Sequence, residues 1–155
     1  MELDQNVVTT NNLPNIKDSY GNCFGMTISW INASKRNNGV TKSWQINNGV
    51  ILQARLNNQW NREQTDGAIR RAGFSIGNAS SNYNTFGSNQ GHLVIIIDNP
   101  AHAMGARVDG STYQFFDPNS GLHNADNHND LYNSVWNYLN STYPGWTLRQ
   151  LYLVR

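Results

Sequence analysis

The chain has 155 residues, with 11 Lys and Arg against 10 Asp and Glu, for a formal net charge of +1. That length suits one domain with a genuine core, and the near-balanced charge provides no basic field for a phosphate backbone and argues against nucleic-acid binding. No apolar run is long enough to cross a bilayer, and Met1-Glu2-Leu3-Asp4-Gln5-Asn6 has neither the basic start nor the apolar stretch of a Sec-type signal.

In chain order, Glu2 to Ser19 is polar, holds a single Pro14 and shows no sustained period. Residues 1–19 therefore read as a flexible arm or linker, and residues 20–155 as a single domain. From Cys23 to about Ser34, Phe24, Ile28 and Ile31 fall at steps of four and three with Trp30 alongside, which predicts a helix with one buried stripe. The Lys35-Arg36-Asn37-Asn38-Gly39 cluster should stop it. Val50 to Trp60 reads as a second helix, and Thr65 to Ala72 as a short third one ended by Gly73. A Ser- and Asn-rich loop is expected from Ile76 to Gln90.

His92-Leu93-Val94-Ile95-Ile96-Ile97-Asp98 is a continuous, largely β-branched run that should lie buried in the centre of a sheet. His102 to Val108 and Thr112 to Phe116 are further strands, separated by Asp109-Gly110. Asn129 to Tyr143 reads as an amphipathic helix with Leu131, Val135, Trp136 and Leu139 inward, stopped by Pro144-Gly145. Thr147 to Val154 reads as a last strand, although its apolar residues do not alternate cleanly. The five tryptophans are expected mostly in the core, with room for one near a cleft to contact substrate.

Asp-Gly between two strand-like runs is a strong signal for a two-residue type I′ turn. With Asp109 and Gly110 as the turn, Val108 faces Ser111 and His102 lies directly opposite Asp117. Directly paired residues have Cβ atoms about 4.5–5.5 Å apart on one face, within reach of a carboxylate–imidazole hydrogen bond. A one-residue slip of the turn would change that relation.

Cys23 is the only cysteine, so no internal disulfide can form, and a working thiol needs a compartment that keeps it reduced. It stands where a Gly-rich turn, Tyr20-Gly21-Asn22, enters the predicted helix. A free thiol, with a pKa near 8.5, is only slightly ionised at neutral pH and needs a helix N-terminus and an imidazolium to become a nucleophile. Cys23 at a helix start receives the first, His102 can supply the second, and Asp117 can orient that ring and stabilise its charge. The backbone N–H of Cys23 can meet the oxyanion formed on attack. His92 is the competing histidine, read as a polar cap on a buried strand. His123 and His128 are read as residues of a solvated loop without zinc-site spacing. No cofactor is required, and no metal.

Gly-Asn-Cys-x-Gly-Met-x-x-x-Trp-Ile at 21–31, His102-Ala103-Met104, and Phe115-Phe116-Asp117-Pro118-Asn119-Ser120-Gly121 resemble the three motifs of the YopT/AvrPphB type (C58-like) of cysteine protease, a papain-like effector family delivered by bacterial secretion systems. The likeness runs from about Tyr20 to Gly121. It implies an α+β papain-like fold, in which an N-terminal helix bearing the cysteine packs on an antiparallel sheet bearing the histidine and aspartate. It also implies Cys23 as nucleophile, His102 as general base and acid, and Asp117 as orienting carboxylate. The family places an oxyanion-stabilising amide a few residues before the cysteine, where this chain has Lys17, Asp18 and Ser19. Asn22 and Asp18 are then the candidates for the second donor, and Asn119 is either a turn residue or a partner of the site.

The expected function is that of a secreted or injected toxin or effector domain, cleaving a specific protein in the reducing cytosol of a target cell. If that target is bacterial, a cognate immunity protein blocking the cleft is the expected partner. The same three residues also serve deamidases, transglutaminases and amidases, all of which pass through a thioester. A binding module for carbohydrate, with an inert Cys23 on an Asn- and Trp-rich chain, is the non-catalytic alternative.

Overall fold

The computed structural model describes residues 1–4, 23–37, 62–88 and 90–155. The predicted helix over Val50 to Trp60 lies outside them, as do Trp44, Trp60, Asp18 and Asn22. Among the described residues a seven-stranded antiparallel sheet has helices on both faces. In chain order the elements are β1 (Glu2–Asp4), α1 (Cys23–Asn37), α2 (Arg62–Arg71), β2 (Ile76–Ser80), a 3₁₀ helix (Tyr83–Ser88), β3 (Gly91–Asp98), β4 (His102–Asp109), β5 (Thr112–Asp117), β6 (Gly121–Ala125), α3 (His128–Thr142) and β7 (Thr147–Val154). The sheet order is β1-β6-β5-β4-β3-β7-β2.

The predicted α1 stripe is buried, with Phe24, Ile28 and Ile31 at most 2% exposed, but burial is not confined to it as expected: Met26, Thr27, Ser29 and Trp30 are at most 3% exposed as well, so the helix is covered on more than one side. Lys35 and Arg36 occupy the last turn, where the negative end of the helix dipole favours cations. With α2, α1 covers one face of the sheet and packs on Val94, Ile96, Ala103, Phe116, Tyr152 and Val154. The contact with β4 is very close. A Cβ added to Gly105 would lie 2.8 Å from the Trp30 ring, so the absence of a side chain there lets the helix settle on the strand. Trp30 also stacks on Phe116 at 5.3 Å. Helix α2 ends as expected at Gly73 (φ 95°), and the Phe74 N–H reaches back to the Ile69 carbonyl in a Schellman closure.

The opposite face carries α3 and the 3₁₀ helix over Leu93, Ile95, Met104, Ala106, Phe115 and Leu151. Asn127 caps α3, its side chain accepting from the Asp130 N–H at 2.8 Å. Leu131, Val135 and Leu139 are fully buried, whereas Trp136, expected inward, is 43% exposed. Because β3 is covered on both faces, His92 to Ile97 is buried without alternation. The uneven pattern of β7 also has a local cause: its register against β3 shifts between Ile96 and Ile97, so the pairing passes from Gln150 to Leu148.

Several expectations are corrected. The Ile76 to Gln90 segment is not all loop: its first residues add β2 to the edge of β7 and its middle forms the 3₁₀ helix, anchored by buried Phe86. Glu2–Asp4, read as arm, pairs with β6, a backbone interaction that needs no side-chain period. His123 lies on β6 and His128 opens α3, so neither belongs to a solvated loop. At the β4–β5 hairpin Asp109 pairs with Thr112, making Gly110 and Ser111 the turn. Gly110 has φ 60° and Ser111 is not at positive φ, which suits a II′-type turn with Gly first. His102 and Asp117 are therefore not directly opposed. The new register makes them diagonal neighbours two positions out of line, still on the same face.

Candidate active site

The site gathers at the end of the sheet where β4 begins and β5 stops. His102 is the first residue of β4 and Asp117 the last of β5. Both side chains follow the strand alternation toward the α3 face, as Met104 and Phe115 do. Cys23, by contrast, starts α1 on the other layer and is buried at 7% exposure. Its turn is tied to the histidine strand by Thr27, whose hydroxyl is shared between the Cys23 carbonyl at 2.8 Å and the Ala103 carbonyl at 3.2 Å.

His102 Nε2 lies 2.7 Å from Asp117 Oδ1. With that nitrogen committed to the carboxylate, Nδ1 is the ring nitrogen left free to face the Cys23 side chain, which lies close enough to raise the imidazole. Burial opposes a charge on His102, but the hydrogen bond to Asp117, the nearby Cys23 side chain and the Asp117 charge outweigh it and push the imidazole up to about 10. Asp117 is wholly buried, which by itself would favour its neutral form. Hydrogen bonds from His102, Tyr138 and Tyr143 reverse that and hold the carboxyl below its ordinary range. The two groups thus stabilise each other as an ion pair.

The Asp117-Pro118-Asn119-Ser120-Gly121 segment serves as turn and as part of the cluster at once. Asp117 pairs with Gly121 across the β5–β6 hairpin, and Asp117 Oδ1 accepts the Asn119 N–H at 2.8 Å in an Asx-type turn. The Asn119 side chain is 3.4 Å from His102 Nε2 and donates to the Tyr143 hydroxyl at 3.0 Å. Two residues that sequence reading passed over complete the surroundings: the Tyr138 and Tyr143 hydroxyls each donate to Asp117 Oδ2 at 2.6 Å. The helical period of 129–143 pointed to its apolar stripe, and no sequence pattern flags a phenol that shares that stripe.

His92 is at the far end of β3, bonded to Ser34 at 2.9 Å and edge-on to Trp30. Burial, Arg107 and Lys35 bring it down to about 4, so it is a neutral core histidine, as a strand-capping role requires. Among the described residues no group of three or more His, Cys, Asp or Glu could hold a metal ion. Of the tryptophans, Trp136 and Trp146 line a depression of about 420 Å³ with Tyr83 and Asn140, at the sheet end where β7 begins.

Residues 85–155 match the family model Peptidase_C58, described as Yersinia/Haemophilus virulence surface antigen. The matched stretch holds His102 and Asp117, and Cys23 precedes it. Among solved structures, the crystal structure of the Pseudomonas avirulence protein AvrPphB superposes with a TM-score of 0.54 and 17% sequence identity, covering 84% of this chain and 88% of that one. No curated protein matches the chain. The family match, confined to residues 85–155, does not reach the Cys23 motif, and the backbone likeness agrees with the expected papain-like α+β fold.

Proposed function

From that C58-type resemblance we propose that the chain is a thiol protease, with Cys23 as nucleophile, His102 as general base and acid, and Asp117 as the group that orients His102. The observation that carries this reading is the His102–Asp117 contact at 2.7 Å on the strand to which Thr27 ties the Cys23 turn at the start of α1. A raised imidazole favours a thiolate–imidazolium pair at neutral pH, which the positive end of the helix dipole supports. The Cys23 sulfur attacks a peptide carbonyl and the oxyanion develops at the helix start. His102 passes its proton to the departing amine, leaving a thioester. Water, deprotonated by His102, then releases the acid and the free thiol. Asn119, beside the ring and on the Asp117 turn, supports this orientation. Asn22 and Asp18 keep their role as candidates for the second oxyanion donor.

The virulence description of the matched family favours delivery into a host cell, and a protein of that host as substrate. Its reducing cytosol suits a single unpaired thiol. An immunity partner belongs only to the alternative of a bacterial target.

Expression of the chain and its Cys23→Ala variant in host and bacterial cytosol, followed by mapping of new protein N-termini, tests the proposal. New termini that require Cys23 support it. Cys23-dependent toxicity without new termini points to deamidation or acyl transfer by the same residues. Loss of all dependence on Cys23 removes the catalytic reading.

A further inference from the structure

Asp117 divides its oxygens between two tasks. Oδ1 takes His102 Nε2 and the Asn119 N–H, at 2.7 and 2.8 Å, while Oδ2 takes the phenols of Tyr138 and Tyr143, both at 2.6 Å. Each phenol has one hydrogen. Since Tyr138 gives its own to Asp117, the 2.7 Å contact between Tyr138 and Ser120 must be donated by Ser120. Ser120 is then the acceptor for His123 Nε2 at 2.8 Å. The Tyr143 oxygen in turn accepts from Asn119 Nδ2. Two chains of donors, His123 to Ser120 to Tyr138 and Asn119 to Tyr143, therefore converge on one carboxylate oxygen.

We propose that Tyr138 and Tyr143 are positioning residues of the active site: together they saturate Asp117 Oδ2, fix the plane of the carboxylate, and so reserve ionised Oδ1 for His102. The inference rests on the catalytic reading of Asp117. Its physical basis is that a carboxylate in a fully buried site is stable as an anion only when its lone pairs are met by donors, and a terminal carboxyl torsion is soft unless both oxygens are held. The ionisable groups facing Asp117 are His102 from β4, Tyr138 from α3, Tyr143 from its C-cap and His123 from β6. The Met1 amino group acts on His123 behind it, and Cys23 acts through His102 from α1.

The test needs no known substrate, because Cys23 is the only thiol. Alkylation of the folded chain by iodoacetamide is followed from pH 3.5 to 8 for the parent, Tyr138→Phe, Tyr143→Phe and the double variant, with a thermal melt at each pH. Phenylalanine keeps the ring packing and removes only the donor. With a donor lost, Asp117 takes up a proton at higher pH and its hold on His102 fails sooner on acidification. The acid limb of the alkylation profile should then rise by about one unit per phenol removed. Folded single variants whose acid limb coincides with that of the parent would overturn the proposal and leave the tyrosines as packing residues. A parent chain that is unreactive at pH 6 would instead overturn the protease reading, so the two failures are separable.

Discussion

His102 and Asp117 are diagonal partners across the β4–β5 ladder, yet their side chains close to 2.7 Å. The diagonal places the carboxylate beyond the imidazole along the strand direction. It leaves room for the Asn119 turn on one oxygen and for two phenols on the other.

Replacing Asp117 with Asn should keep the shape and remove the charge that sustains the imidazolium. Cys23-dependent proteolysis is expected to fall by a factor on the order of 10⁴, the scale seen when an orienting carboxylate is made neutral. The rate of Cys23 alkylation at pH 6 should fall alongside it. A variant with full alkylation at that pH would detach Asp117 from the activation of the thiol.

The histidines should titrate in opposite directions. By ¹⁵N NMR of the imidazoles, His102 should stay protonated until the pH approaches about 10, and His92 should stay neutral until it falls to about 4. For His102 the folded value exceeds the unfolded one near 6.5, so its stabilising contribution is complete below pH 6.5 and is lost as pH rises through 10. Over that window the contribution amounts to as much as about 1.4 kcal/mol per pH unit. For His92 the folded value is depressed, and stability is lost as pH falls from 6.5 toward 4. Thermal melts across pH 4 to 10 should therefore fall at both ends, and His92→Gln should flatten the acid end alone.

Gly105→Ala places a methyl 2.8 Å from Trp30, with Thr27 Cγ2 at 3.3 Å. Overpacking of this kind costs about 1–3 kcal/mol. Because Thr27 joins the Cys23 turn to Ala103, the displaced helix should also draw the thiol away from His102. A lowered melting temperature accompanied by slower alkylation at pH 6 is expected. Unchanged alkylation would show that the site is independent of how α1 sits on β4.

Asn127→Ala removes the cap of α3 and should lower stability by ~1 kcal/mol in denaturant unfolding. Asn127→Ser should recover most of that loss, since a serine oxygen can accept the same Asp130 N–H.

The sequence disclosed the parts whose signals are local. The existence of α1, the continuous run of β3 and the glycine at the end of α2 each follow from a period or a single backbone preference, whereas the burial of α1 beyond its apolar stripe does not. His102 and Asp117 were legible as a pair because a hairpin is short, although the turn fell one residue later, where Gly110 alone takes the positive φ. What escaped depends on tertiary partners. β2 and β1 exist because β7 and β6 offer edges, and Tyr138 and Tyr143 gain their role only when α3 lies over Asp117.

The link between Thr27 and Ala103 spans 76 residues of chain, whereas His102 and Asp117 are 15 apart. A short hairpin closes cheaply and early, and a long loop closes late. During refolding the carboxylate–imidazole half should therefore mature first, and the sulfur should join it only when α1 docks. A chain held extended or threaded through a narrow passage would carry its nucleophile in a chemically silent form, and reactivity would switch on as the last event of folding.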